Sequence, residues 1–311
     1  MTSSPIGRVV EIAESGRHLS REDGFLVIKG GREEIGRVAL DDILSVIATA
    51  PGTTTSCAAV AELSARGIPF VICGRNFLPA SIVWPVYGHH AQQRRMECQI
   101  EATLPLKKRL WTLLVAAKIR HQGAALATCG QNSDVFISLA RSVRSVDPEN
   151  IEAQAARRYW PALLGPDFRR DHDAGGANAM LNYGYTVLRA GVARAIVAAG
   201  LHPSLGVFHR HPQNPMPLAD DLMEPFRPFV DLLVLRLLAN GADTVTGSVK
   251  RELVAVLHTD VPTRFGTTPI ATCLNRLASS LGESFVAGVP DLDLPLPLTT
   301  FGSAETDETG T

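Results

Sequence analysis

The stretch 205–231, LGVFHRHPQNPMPLADDLMEPFRPFVD, gathers His209, Asp220, Asp221 and Glu224 around sharp backbone interruptions. Pro212, Pro215 and Pro217 lie between His209 and Glu224, so one helix cannot run through. Each proline lacks an N–H and pushes its predecessor out of the α region. The pattern predicts an extended or loop His209, a proline-rich crossing, and a helix beginning near Leu218 or Ala219. Spacings of three (Asp221, Glu224) and four (Asp220, Glu224) put all three carboxylates within one turn of each other. Unneutralised neighbours raise one another's pKa and repel, so a cation must resolve the cluster, either a metal or an arginine. Arg227 is a candidate for the second, and Arg227 with Asp231, four apart, reads as a structural pair. The chemistry on offer is a hard divalent ion held by oxygen ligands and one imidazole, with positions left for substrate phosphate. The plain alternative is a solvated helix face behind a proline-broken start.

Two earlier stretches accompany this one. Glu152 sits in IEAQAARRYW, among alanines that let another segment approach closely, and residues 176–185 read GANAMLNYGY. Together with GVFH at 206–209 and LADDLMEPFRP at 218–228 plus Asp231, these blocks resemble, in the same order, the CRISPR-associated spacer-acquisition integrases, the Cas-one family, closest to its type II branch. The resemblance implies a metal-dependent DNA endonuclease and integrase in which Glu152, His209 and Glu224 hold Mg²⁺ or Mn²⁺, with Asp220 or Asp221 behind them or on a second ion. It further implies double-stranded DNA partners (a protospacer and the repeat array), a homodimer, and a heterohexamer with the small Cas-two subunit. By that reading a 3′-hydroxyl of a captured fragment attacks a phosphodiester of the array.

His202 and His211 compete with His209, and His209-Arg210-His211 has the period-two spacing of a zinc pair on an extended segment. Pro203 and Pro212 place both competitors in turns. Asn182 and Tyr183 either reach the site or bond within the core, the latter being favoured.

The elements that position these residues divide into an α+β chain: a β-rich dimerisation domain over 1–88, a larger all-α catalytic domain over 89–283, and an acidic, partly disordered tail over 284–311. Short Val- and Ile-rich runs at 8–14, 24–30, 33–40, 43–50, 68–73 and 80–86 have the strand pattern. Ser56 caps a helix to Ala65 that Gly67 closes; it precedes no Gly-rich phosphate loop. From His90 the period becomes helical: 92–102, then 106–121 with Leu110, Leu113, Leu114 and Ala117 inward and Lys107, Lys108, Arg109, Lys118 and Arg120 outward, either simply solvated or towards phosphate. Asp147 caps the next helix with Pro148 at its first position and Glu149 in its first turn. Residues 165–176, with Arg169, Arg170 and Asp171, form a loop mobile until it meets substrate. Helices follow at 178–199, past Glu224, at 245–258 and at 269–282, with disorder from about Gly302.

The 311-residue chain is 45% hydrophobic and 20% charged, a globular composition. Its five scattered cysteines suit a reducing cytoplasm rather than a disulfide or zinc framework. No secretory signal or membrane span is expected. The net charge of −1 hides an asymmetry, since the 94–170 region is rich in Lys and Arg while 282–311 has none. A basic middle and an acidic end suit a phosphate-bearing partner. Two other functions compete: a non-catalytic DNA-binding scaffold whose carboxylates Arg227 neutralises, and a metallohydrolase of small phosphoesters, which the absence of an enclosing Gly-rich loop disfavours.

Overall fold

The computed structural model describes residues 8–74, 79–83, 85–86, 89–144 and 149–298. Strands β1 (Arg8–Ile12), β5 (Ile43–Ala48), β7 (Phe70–Cys73) and β8 (Pro79–Val83) form one sheet in the order β1-β5-β7-β8, parallel except for β8. A second sheet has the order β4-β3-β2-β6, from β2 (Arg17–Glu22), β3 (Phe25–Gly30), β4 (Glu33–Ala39) and β6 (Thr54–Thr55). Strand β2 was not expected from the sequence. Its residues RHLSRE bury only Leu19, so it carries almost no apolar alternation and is held by pairing with β3. Helix α1 (Cys57–Ala65) starts where its cap predicts, with Ser56 Oγ accepting from Ala59 N at 3.2 Å.

The first sheet is covered on both faces, and β5 shows how. Ile43, Val46 and Ala48 pack with Leu19, Leu26 and Leu63 in the N-terminal core, whereas Leu44 and Ile47 join the core of the helical region. Strict alternation would put Leu44 beside Val46. The register against β1 slips by one between Arg8–Ile43 and Val9–Ser45, so the extra residue Leu44 turns to the other face. The bulge carbonyls are not wasted: Arg194, from the central helix, donates Nη1 to Ile43 O at 2.7 Å and Leu44 O at 3.0 Å.

The helical region comprises α2 (Gln92–Glu101), α3 (Leu104–Thr128), α4 (Asp134–Ser142), α5 (Ile151–Leu164), α6 (Ala177–Ala198), α7 (Pro217–Met223), α8 (Arg227–Ala239), α9 (Gly247–Val254) and α10 (Ile270–Ala287). Helix α6 is its axis, with α7, α8, α9, α10 and β5 all packed on it. Gly184 makes the closest of these contacts possible, because a Cβ there would lie 2.5 Å from Val230 Cγ1 of α8. Helix α3 is longer than 106–121. Thr103 caps it and burial extends through Ala125 and Leu126. Helix α4 was missed, being a short piece between polar turns. The region is not wholly helical either: β9 (Asp260–Thr263) and β10 (Gly266–Pro269) form an antiparallel hairpin before α10.

Two other expectations change. Asp147 and Pro148 lie outside the described residues; Glu149 precedes the helix rather than entering its first turn, and Asn150, with φ of 53°, occupies the cap position. Helix α10 runs past Gly282 to Ala287, and the chain after it is pinned, with Asp291 N on Ser284 Oγ at 3.0 Å and Leu296 N on Pro262 O at 2.8 Å. The segment from Gly302, expected to be disordered, lies outside the described residues. Among the described residues, no helix is long and apolar enough to cross a membrane.

Candidate active site

Glu152 enters from the first turn of α5, half-buried, and Glu224 from the 3₁₀ turn Glu224–Phe226 that links α7 to α8, almost fully buried. Both carboxylates meet Lys118 of α3, whose Nζ stands 2.6 Å from Glu152 Oε1 and 2.5 Å from Glu224 Oε2. Glu224 Oε1 also accepts from Arg227 Nε at 2.8 Å. Lys118 therefore does not belong to an exposed basic face, as its helical spacing suggested. Lys118 follows Leu114 by four residues and Leu110 by eight, so it lies on the same side of α3 as those buried leucines and points into protein. Charge follows geometry. Burial pushes the Glu224 carboxyl up, but the Arg227 and Lys118 cations outweigh it and hold the pKa down at about 2. Burial alone would discharge Lys118; Glu224 and Glu152 reverse that and raise its pKa.

His209 lies on the loop before α7. The fully buried Asp221 carboxylate organises that loop, with Oδ2 accepting Val207 N at 2.6 Å and Phe208 N at 3.0 Å, and Oδ1 accepting His209 N at 3.2 Å. The turn needs Gly206, where a Cβ would fall 2.7 Å from His209 O. Asp221 Oδ1 also sits 2.6 Å from His209 Nδ1. A carboxylate there assigns the ring proton to Nδ1 and leaves Nε2 as the lone-pair nitrogen. The same hydrogen bond raises the His209 pKa, against the opposing effect of burial. Trp111 fixes the loop from the other side, stacked on Phe208 at 4.4 Å between centroids and edge-on to His209 at 5.3 Å.

The three carboxylates expected to crowd one turn instead take separate partners. Asp220 faces away, paired with Arg189 Nε at 2.9 Å and Asn214 Nδ2 at 2.6 Å. Asp221 serves His209, and Glu224 serves Lys118 and Arg227. The expected Arg227–Asp231 pair is not formed. Arg227 turns back to Glu224 and lies over the Tyr185 ring at 4.6 Å, while Asp231 accepts from Tyr159 Oη at 3.0 Å and Tyr185 Oη at 2.5 Å. Asn182 turns out to hold the 165–176 loop. Its Oδ1 accepts from Arg170 Nη2 at 2.5 Å and its Nδ2 donates to His172 O at 2.7 Å, with Asn178 Oδ1 on Arg170 Nη1 at 2.9 Å. Tyr183 is buried elsewhere, with Lys250 Nζ 5.5 Å from its ring centroid. His202 and His211 each accept a nearby backbone N–H in their turns, at 3.3 Å.

Beside Glu224's turn opens a cleft of about 820 Å³ whose lining includes Arg170, Arg189, Arg227, His172 and His211. Lys107, Lys108 and Arg210 line a smaller one of about 280 Å³ next to Phe208. Sequence reading singled out neither Arg189 nor Trp111, since nothing in their spacing marks them. Their partners come from the loop before α7 and from its first turn, far along the chain.

Among the described residues no three His, Cys, Asp or Glu side chains already stand as a group able to hold a metal ion. The donor chemistry nevertheless fits one. An ammonium already sits between the carboxylates of Glu152 and Glu224, a place that demands positive charge, and the His209 imidazole is oriented by a carboxylate as metal-ligating histidines are. Glu152, Glu224 and His209 Nε2 are the residues that would hold the ion.

Comparison with known proteins agrees with this arrangement of elements. The family described as CRISPR associated protein Cas1 matches residues 10–264. The CRISPR-associated endonuclease Cas1 of Neisseria meningitidis serogroup C (strain 8013) is 35% identical over 284 residues, covering 90% of this chain and 91% of that protein. Two solved structures share the fold: a casposase bound to integration product (TM-score 0.77, 21% identity, 92% of both chains) and a Cas6-RT-Cas1–Cas2 complex (TM-score 0.76, 15% identity, 95% of this chain and 36% of that one). With a family match across most of its length and a relative at this identity over nine-tenths of both sequences, the chain belongs to the CRISPR-associated Cas1 family.

Proposed function

We propose that this protein is a divalent-metal-dependent DNA endonuclease and strand-transfer integrase of CRISPR adaptation, of the type II branch, acting through Glu152, His209 and Glu224. The observation that carries the reading is the convergence of Glu152, from α5, and Glu224, from the turn between α7 and α8, on a single cation, with the His209 imidazole turned by Asp221 and feeling the Glu224 charge. Bound there, Mg²⁺ or Mn²⁺ supplies Lewis-acid polarisation of a phosphodiester and stabilisation of the leaving oxygen. The protein's own residues supply the rest. Arg227 keeps Glu224 ionised, Asp221 holds the imidazole with Nε2 forward, and the arginines of the large cleft offer a polyanion several guanidinium partners at once. A 3′-hydroxyl as nucleophile gives integration and water gives hydrolysis, and the same residues accommodate both.

Double-stranded DNA, as protospacer and repeat array, is the proposed substrate. The named endonuclease activity of the meningococcal relative and the integration product held by the casposase support it. The Cas1–Cas2 complex among the fold's relatives supports a Cas2 partner. The β-rich region of residues 1–88 is proposed as the homodimer interface, the helical region of 89–283 as the catalytic unit, and a heterohexamer as the working assembly in the cytoplasm.

One observation favours a second reading, a DNA-binding scaffold. Arg227 and Lys118 already neutralise Glu224 without any metal. Branched DNA incubated with and without Mn²⁺, then with chelator, separates the two. The enzyme reading expects Mn²⁺-dependent cleavage and strand transfer, lost in Glu152→Ala, His209→Ala and Glu224→Gln. DNA binding with no turnover under any of these conditions would leave the scaffold.

A further inference from the structure

We propose that Lys118 is a resident counter-cation of the active site, holding the Glu152–Glu224 carboxylate pair until a divalent ion displaces it, so that ion entry and lysine departure are one event. This inference rests on the metal-dependent reading above. The ammonium contacts Glu152 Oε1 at 2.6 Å and Glu224 Oε2 at 2.5 Å. Oxygens engaged at those distances are the ones a divalent ion would need at about 2.0–2.2 Å. Lysine and metal cannot share them.

Charge counting gives the same result. Glu152 and Glu224 carry two negative charges, and Lys118 and Arg227 balance them. Adding a divalent ion to that balanced, largely buried set would leave two uncompensated positive charges, a costly state at low dielectric. Releasing the lysine removes one, and an incoming phosphodiester removes the other. Arg227 is not equivalent. It is locked by its bond to Glu224 Oε1 and by its seat on the Tyr185 ring, whereas Lys118 carries its ammonium on a flexible four-carbon stem. Lys118 is therefore the cation able to leave.

A merely structural ion pair and a displaceable counter-cation predict opposite signs. The test uses the full-length protein, free of DNA, titrated with Mn²⁺ alone. Lys118→Met should bind Mn²⁺ at least about tenfold more tightly than wild type, the factor expected when the lysine-docked form makes up about nine-tenths or more of the metal-free population. Lys118→Arg should show no tightening. The Met variant should also melt lower in chelator and rise further on Mn²⁺ addition. On the wild-type protein, amine labelling read by mass spectrometry should find Lys118 protected without Mn²⁺ and modified with it, so an unfolded variant does not remove the test. Equal or weaker Mn²⁺ affinity in Lys118→Met, or labelling that ignores Mn²⁺, overturns the proposal. Should wild type bind Mn²⁺ in a Glu224-dependent way while Lys118→Met does not tighten it, only the counter-cation falls. If neither protein binds Mn²⁺, or Glu224→Gln binds as well as wild type, the metal-dependent reading falls with it.

Discussion

Asp221 holds His209 by both its backbone and its ring, with Oδ1 at 3.2 Å from the amide nitrogen and 2.6 Å from Nδ1. One fully buried carboxylate thus sets the path of the loop and the orientation of the imidazole together.

Asp221→Ala should accordingly be among the most destabilising changes at the site. It strands the amides of Val207, Phe208 and His209, and a loss of about 3–5 kcal/mol is expected. Asp221→Asn keeps two acceptor contacts at best, and should lower Mn²⁺ affinity about 10- to 100-fold with a smaller change in melting temperature. Calorimetric titration beside thermal melts reads both. Unchanged Mn²⁺ affinity in Asp221→Asn would count against its role on His209.

Glu152 and Glu224 should separate in stability although both are proposed ligands. Glu224 is 4% exposed and bonded by two cations, so Glu224→Ala leaves buried positive charge unpaired and should cost about 3–5 kcal/mol. The Glu152 side chain is 27% exposed, and Glu152→Ala should cost under about 1 kcal/mol. Urea denaturation measures the difference; equal losses would contradict the burial argument.

Asp231 should give stability a pH dependence of unusual sign. Burial pushes its carboxyl up to about 7 against the pull of the Tyr185 and Tyr159 hydroxyls. Unfolded, it titrates near the ordinary value of about 3.9. Between these values the folded chain holds the extra proton, so this group's contribution falls as pH rises from about 4 to about 7 and is flat above. Glu224 acts in the opposite sense at lower pH, because its folded pKa of about 2 makes its contribution disappear as pH falls through the acid range. Asp231→Asn should flatten the upper slope relative to wild type in denaturation across that window. Parallel curves would rule the effect out.

Arg194→Met should loosen the joint between the sheet and the helices. Losing two charge-assisted bonds to the bulge carbonyls of β5 is expected to cost about 2–3 kcal/mol, visible as faster hydrogen exchange along 43–48. Exchange unchanged there would mean that the bulge holds its shape alone.

Gly184→Ala tests the approach of α6 to α8. The added methyl meets Val230 Cγ1 at 2.5 Å, so α8 must shift, with about 1–3 kcal/mol lost and reduced strand transfer because Arg227 and Glu224 move with it. Wild-type melting and activity would show that the contact has slack.

Much of this was legible from local pattern. The strands from β1 to β8 that carry Val and Ile, the Ser56 cap and the proline-broken approach to α7 follow from residue type and short-range spacing, whereas Glu152, His209 and Glu224 were singled out as a set by the family resemblance. Strand β2 escaped because its polar residues offer no alternation, and its pairing with β3 is what makes it a strand. The misplaced residues share one cause, a reading from local spacing alone. Lys118 was put on an outward basic face of its helix, and Arg227 was paired with Asp231 four residues on. The fold gives them other partners: Glu152 and Glu224 for Lys118, two tyrosines for Asp231, and for Arg227 the Tyr185 ring together with Glu224, whose cluster it was a candidate to neutralise.

The amino-acid sequence by itself thus determined which groups are available and on which kind of element each is carried, because capping, periodicity and proline geometry act within a few residues. Only the tertiary structure decided which charges face one another. Burial raises the cost of any unpaired ion, and the cheapest neutralisation came from α3, α5 and the Glu224 turn brought together around α6 and α8, a proximity that no local spacing encodes.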